Sequence, residues 1–114
     1  MKYRGLVVGL GKIGMGYDYN DLGGNLIASH SKALQSHPDF FLVGGVDPIL
    51  KRRKMFTDKY EQKAYKDLRY ALRYCKPELA IVSTPINILS HAFEQLLNCP
   101  SLKSPKLSIF KSLL

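Results

Sequence analysis

An apolar segment that runs directly into three closely spaced glycines constrains the fold of this chain more than any other feature. Residues 3–10 are mostly apolar and β-prone, and they lead into Gly9-Leu10-Gly11-Lys12-Ile13-Gly14. An uninterrupted apolar run of this kind predicts a strand that is buried on both faces, as in a parallel sheet. Glycines at its end are typical of a tight turn from a strand into a helix.

The same kind of apolar run occurs twice more, at 40–46 and 79–83. Helical patterns, with apolar residues at spacings of three and four, lie between and after these runs, at 31–36, 48–60, 67–75 and 89–97. Strands that alternate with helices favour crossover units. The chain is therefore predicted to be an α/β protein with a doubly wound parallel sheet and helices on both faces.

The glycine segment has the spacing G-x-G-x-x-G in the strand–turn–helix context that this motif requires. Gly9 would allow the tight turn, Gly11 would let a pyrophosphate approach the backbone, and Gly14 would let helix and strand pack closely. The helix end that follows would offer free N–H groups to the phosphates. The motif predicts a dinucleotide site formed by residues 9–14, with a purely structural glycine turn as the alternative.

Asp47 follows the second predicted strand, where a carboxylate that binds the adenosine ribose belongs. An acid at this position favours NAD over NADP, because a 2′-phosphate would meet a negative charge. Arg52, and Arg53 beside it, lie just beyond and can offset that preference, so NADP stays an alternative. Asp47-Pro48 is also a good helix start, with Asp as the cap and Pro in the first turn.

The spacing between the glycines and this acid is unusually long. The acid commonly follows by about 20 residues, whereas Asp47 is 33 residues after Gly14. The extra length is a polar, glycine-bearing insertion at 15–24. We expect it to interrupt the first helix, which would resume near Ser29 and His30.

Length, charge and cysteine content limit the remaining possibilities. The chain has 114 residues, which is the size of one domain. No run approaches the ~20 apolar residues of a membrane helix. Cys75 and Cys99 are interpreted as reduced thiols of a cytoplasmic protein.

The net charge of +8 and the basic cluster at 51–54 leave a nucleic-acid partner as an alternative. Against it, the chain lacks the interleaved aromatic and basic residues of a single-strand platform.

Several short blocks occur in a characteristic order. They are 9–14, 30–34, 45–48, 64–68 and 80–85, followed by His91. In these blocks the sequence resembles, over about residues 3–99, the amino-terminal domain of the Gfo/Idh/MocA family, named for glucose–fructose oxidoreductase and inositol dehydrogenase. Members are NAD(P)-dependent oxidoreductases that act largely on sugars and related polyols.

The resemblance implies a Rossmann-type sheet and further cofactor-binding residues. Ser83, Thr84 and Pro85 would line the nicotinamide side of the cleft, and Asn87 and His91 would follow them. His91 is six residues after Pro85, whereas the family His commonly follows after about four, so a helix-face position without a ligand role is the alternative for it. Three scattered His and two distant Cys predict no metal site.

The Glu-Lys-Pro segment of the family and its second, substrate-binding α+β domain have no counterpart in this sequence. We therefore expect a truncated oxidoreductase, with an NAD(P)-binding domain over 1–100 and an atypical basic tail over 101–114, no catalytic residue assigned and no turnover by the chain alone. The resemblance implies a link to carbohydrate metabolism. The alternatives are a half-enzyme completed by a partner chain, and a basic nucleotide- or nucleic-acid-binding module. A homo-oligomer is a further possible partner arrangement.

Overall fold

The computed structural model describes residues 2–12, 14–21 and 26–83, in which parallel strands alternate with helices. The strands are β1 (Tyr3–Val8), β2 (Phe40–Val46), β3 (Ala64–Tyr65) and β4 (Leu79–Val82). The helices are α1 (His30–Ser36), α2 (Leu50–Tyr60) and α3 (Leu68–Cys75), and one 3₁₀ turn at Gly16–Asp18 precedes α1. The predicted strand at 40–46 is confirmed to the residue.

The strands pair in the order β3-β2-β1-β4, and each pairing is parallel. Val8 is in register with Val46 on one side and with Val82 on the other, so β1, β2 and β4 end together at the carboxyl edge. The chain moves outward from β1 to β3 and then crosses back to place β4 on the other side of β1. This reversal confirms the predicted doubly wound, Rossmann-type α/β sheet, and ligands of such sheets bind where the order reverses.

The core consists of one apolar layer on each face of the sheet. Residues that alternate along a strand point to opposite faces, so Leu6 and Val8 join one layer while Val7 joins the other. The layer under α3 comprises Leu6, Val8, Val46, Leu68, Ala71, Leu72, Ala80 and Val82. The layer under α1 and α2 comprises Val7, Leu10, Met15, Leu34, Leu42, Phe56, Tyr60 and Ile81. Helices cover both faces, as predicted.

Side-chain caps explain where two of the helices begin. The Ser29 hydroxyl accepts from the Lys32 N–H at the start of α1, and the Asp67 carboxylate accepts from the Arg69 N–H at the start of α3. Helix α2 begins two residues later than the Asp47-Pro48 pair predicts, with Ile49 in the N-cap position and no side-chain bond from it. The predicted boundary is wrong, although Asp47 still accepts from the Ile49 N–H through one carboxylate oxygen while the other bonds to the glycine segment.

In the described residues between the glycines and α1, at 15–21 and 26–29, the chain forms a turn and no long helix. Its 3₁₀ turn ends at Asp18, and α1 begins at His30 with Ser29 as its cap. The predicted interruption of the first helix by the insertion, and its resumption near Ser29 and His30, are both confirmed.

His30 makes the stability of the fold depend on pH. It is half-buried at the start of α1, and burial lowers the pKa of its imidazole because the charged form loses hydration. The folded state therefore disfavours protonation, and the associated stability is present above the unfolded pKa of about 6.5 and lost as the pH falls through the lowered value. We expect urea midpoints to decrease between about pH 8 and about pH 5, and His30→Gln to make that decrease smaller. Equal slopes for both proteins would contradict this assignment.

Some predictions fall on residues that the structure does not describe. These are the helix at 89–97, the boundary near residue 100 and the tail at 101–114. Among the described residues, no helix is long and apolar enough to cross a membrane, and no cluster of His, Cys, Asp and Glu has the composition of a metal site.

Candidate functional site

The glycine segment begins at the carboxyl end of β1, in the middle of the sheet edge. Gly9 has a φ of 101°, a left-handed conformation that side chains disfavour, and its N–H donates to the Val46 carbonyl at 2.7 Å. Glycine is thus required at this position for the chain to leave β1 while still bonded to β2.

A single helical turn follows. The Gly11 carbonyl accepts from the N–H groups of Met15 and Gly16, each at 2.9 Å, and the Lys12 carbonyl accepts from the Tyr17 N–H at 2.9 Å. No described residue accepts from the N–H of Gly11 or Lys12. Unpaired N–H groups at the start of a helical turn are suited to bind an anion.

Gly11 and Gly14 differ in the space around them. A Cβ on Gly11 would meet only the Arg52 Nη1 atom, at 3.9 Å, whereas a Cβ on Gly14 would lie 1.9 Å from the Gly9 carbonyl oxygen. Gly11 therefore faces open space that a ligand can fill. At Gly14 the absence of a side chain lets the backbone pack against the Gly9 carbonyl. These surroundings are compatible with the roles that the motif predicts for its second and third glycines, and the pyrophosphate contact of Gly11 stays a prediction.

Asp47 connects the glycine segment with the start of α2. Its side chain is 3% exposed. Oδ2 accepts from the Leu10 N–H at 2.9 Å, and Oδ1 accepts from the Ile49 N–H at 2.8 Å. Because each carboxylate oxygen has two acceptor sites and Oδ2 also accepts from Arg52, Oδ1 retains one site for a ribose hydroxyl. The bond to Leu10 was not predicted, since sequence spacing contains no signal for it.

Two arginines of α2 surround this acid. Arg52 Nη1 lies 3.5 Å from Asp47 Oδ2, and the Arg52 side chain is 44% exposed. Arg53 donates through Nη1 to the carbonyls of Asp47 and Pro48, each at 2.9 Å. The contact between Arg52 and Asp47 is at the long limit of a hydrogen bond, and the guanidinium is half exposed, so water can solvate Arg52 when it moves away from Asp47.

Ser83 lies at the point where the strand order reverses. Its N–H donates to the Val8 carbonyl at 2.7 Å, which places it next to the first residue of the glycine segment. Its hydroxyl oxygen is buried and has no hydrogen-bond partner among the described residues. The structure thus brings together residues 9–12 and 14 with Asp47, Arg52 and Ser83, while Ile13, Thr84, Pro85, Asn87 and His91 lie outside the described residues.

The sequence did not reveal Ser31 as a contact of this segment. Both the N–H and the hydroxyl of Ser31 donate to the Gly14 carbonyl, the N–H at 2.9 Å. The start of α1 therefore stabilises the end of the glycine segment.

Comparison with solved structures identifies the architecture. A putative dehydrogenase from Bordetella bronchiseptica RB50 superimposes with a TM-score of 0.69 at 19% identity, over 97% of this chain. The apo scyllo-inositol dehydrogenase from Lactobacillus casei gives 0.68 at 11% identity over 96%. The WlbA dehydrogenase from Bordetella pertussis, solved with NADH and UDP-GlcNAcA, gives 0.59 at 14% identity over 98%. This chain shares the fold of these dehydrogenases.

The fold resemblance expected from the sequence blocks is thereby confirmed. The chain spans 24%, 28% and 37% of the lengths of these three proteins, respectively. No protein-family model and no curated protein matches the sequence. The dehydrogenase-type fold therefore rests on the structural superposition.

Proposed function

We propose that this chain is the NAD(H)-binding domain of a Gfo/Idh/MocA-type oxidoreductase that acts on a sugar or related polyol by hydride transfer. The observation that carries the proposal is the open space beside Gly11, flanked by unpaired N–H groups and by the Asp47 carboxylate, at the point where the strand order reverses. The similar dehydrogenases that were solved with NAD(H) support the choice of cofactor.

The residues present fit a dinucleotide. The N–H groups of Gly11 and Lys12 would bind the pyrophosphate, Asp47 would accept from the adenosine ribose, and the unpaired Ser83 hydroxyl would gain a partner on the nicotinamide side. Thr84, Pro85, Asn87 and His91 are proposed to extend that side. When bound, the nicotinamide supplies or accepts the hydride, and this chain's residues bind and orient it.

The proposed substrate class comes from the same comparisons. The Lactobacillus casei scyllo-inositol dehydrogenase was also solved with NAD(H) and scyllo-inositol, and WlbA was solved with UDP-GlcNAcA, so a polyol or a sugar derivative is the proposed substrate. Hydride transfer requires a substrate carbon held against the nicotinamide and a group that moves the hydroxyl proton. We assign no such group to this chain, and we propose that a further domain or a partner chain supplies it.

Calorimetric titration with NADH and NADPH tests the proposal directly. We expect a single site on the folded chain, with NADH preferred because a 2′-phosphate would approach Asp47. A matched titration with a single-stranded oligonucleotide tests the basic surface of α2. A folded chain that binds neither dinucleotide would overturn the proposal, and steeply salt-dependent oligonucleotide binding would then favour a nucleic-acid module.

Asp47→Ala should change cofactor preference. The carboxylate accepts from the ribose of NADH but repels a 2′-phosphate, so its removal should weaken NADH binding about tenfold, or ~1.4 kcal/mol, and weaken NADPH binding less. The readout is the ratio of the two dissociation constants, because disorder of the glycine segment would weaken both cofactors alike. Asp39→Asn, an exposed acid remote from the site, is the control. An unchanged ratio would remove Asp47 from the ribose site.

A further inference from the structure

A set of contacts outside the cofactor site connects the turn after the glycines with the second half of α2. The Lys59 Nζ donates to the carbonyls of Asp18, at 3.0 Å, and Tyr19, and it lies 4.9 Å from the centre of the Tyr19 ring. In return, the Tyr19 hydroxyl donates to the Met55 carbonyl at 2.8 Å. These bonds join residues that are 36 to 41 positions apart in the chain.

Asp18 fixes the other side of the same turn. Its side chain is 1% exposed. Its carboxylate accepts from the N–H groups of Ala28 and Ser29, at 2.7 and 2.8 Å, and from the Ser29 hydroxyl at 2.7 Å. Since Ser29 caps α1 and Ser31 bonds to Gly14, the turn is connected to α1 as well as to α2.

The turn needs these connections because it is short. In the usual motif a long helix follows the glycines, and its packing against the sheet fixes the phosphate-binding N–H groups. Here the turn-type backbone bonds of the described residues in this segment lie within 11–21, and an isolated turn of this length is unstable because nucleation is costly. The Lys59 ammonium lies against carbonyls at the end of the 3₁₀ turn, where a cation is favourable.

We infer that Lys59 is a positioning residue for the phosphate-binding turn: by bonding to the Asp18 and Tyr19 carbonyls from α2, it holds the turn in the conformation that presents the Gly11 and Lys12 N–H groups. The functional half of this inference rests on the proposed dinucleotide site. Lys59 itself lies among protein carbonyls and an aromatic ring, so it acts through the turn.

The expected consequence is a loss of preorganisation. For a ligand that binds only the ordered turn, the apparent dissociation constant equals the intrinsic one divided by the fraction of molecules in which the turn is ordered. Lys59→Met removes the ammonium and keeps an apolar stem against the rings of Tyr19 and Tyr60. If the ordered fraction falls to about a tenth, the dissociation constant for NADH rises about tenfold.

The experiment compares Lys59→Met with Lys59→Arg and Lys54→Met. Arginine can still donate to carbonyls and should restore most of the affinity. Lys54 is exposed on the same helix, so Lys54→Met makes the same charge change without affecting the turn. Titration with NADH and amide hydrogen exchange are measured for each protein. We expect faster exchange at Met15, Gly16 and Tyr17 in Lys59→Met alone, with unchanged exchange in β1 and β2.

Wild-type affinity and exchange in Lys59→Met would overturn the inference. So would faster exchange throughout the sheet, which would indicate that Lys59 supports the whole fold. If the wild-type chain binds neither NADH nor NADPH, the proposed function fails, whereas exchange at the three turn amides still decides whether Lys59 holds the turn. If the wild-type chain binds NADH, and Lys59→Met shows the same affinity and the same exchange, the proposed function stands and only this inference is removed.

Discussion

Gly11→Val is expected to abolish NADH binding and to leave the fold intact. A Cβ at this position meets only one flexible guanidinium atom at 3.9 Å, and the backbone of Gly11 is outside the left-handed region. Valine is therefore compatible with the unliganded chain, but its methyl groups fill the space that a pyrophosphate would occupy. We expect affinity to decrease at least about 100-fold, or ~2.7 kcal/mol, measured by calorimetry alongside circular dichroism and urea unfolding.

Gly16→Ala is the matched control for this variant. Gly16 lies on the same turn, and a Cβ there makes ordinary contacts of 3.5 Å with the Gly11 carbonyl oxygen and 3.9 Å with Lys12. It should retain both stability and NADH binding. Normal binding by Gly11→Val would place the cofactor elsewhere, and an unfolded Gly11→Val would show that the space beside Gly11 is not free.

Gly14→Ala has the opposite expected effect, a large loss of stability. Its Cβ would lie 1.9 Å from the Gly9 carbonyl oxygen and 2.9 Å from the Gly9 carbonyl carbon. Both are backbone atoms, and Gly9 is itself bonded to β2 and held at a positive φ. The clash must therefore separate the glycine segment from the sheet. We expect the free energy of unfolding to fall by about 3 kcal/mol or more, since overpacking at a rigid site is costly.

Urea denaturation of Gly14→Ala beside Gly16→Ala measures this effect. A loss of less than about 1 kcal/mol in Gly14→Ala would contradict the close contact with Gly9, because surface substitutions generally have effects of about that size or smaller. Together the Gly11 and Gly14 variants separate ligand binding from folding within one six-residue motif. The sequence motif shows a glycine at both positions, and only the contacts around each glycine in the structure distinguish their roles.

The order of elements could be predicted because local patterns encode it. The apolar run at Phe40–Val46 became β2, and Asp67 became the cap of α3, whose residues Leu68 and Leu72 face the core. These features depend on neighbours within a few residues, where side-chain periodicity and capping act. The start of α2 was placed two residues early, and the second bond of Asp47, to the distant Leu10 N–H, had no local signal at all.

By itself, the sequence determined the α/β alternation, the buried strands and the candidate glycine and acid residues, since each depends on a short segment. Only the tertiary structure decided which of these residues meet. The bond from Leu10 to Asp47 and the contacts of Lys59 with the turn exist because β2 pairs beside β1 and α2 packs on the face that the turn covers. Such contacts join residues about 40 positions apart. No periodic pattern in the sequence predicts these contacts, because they depend on how the strands are arranged in the sheet.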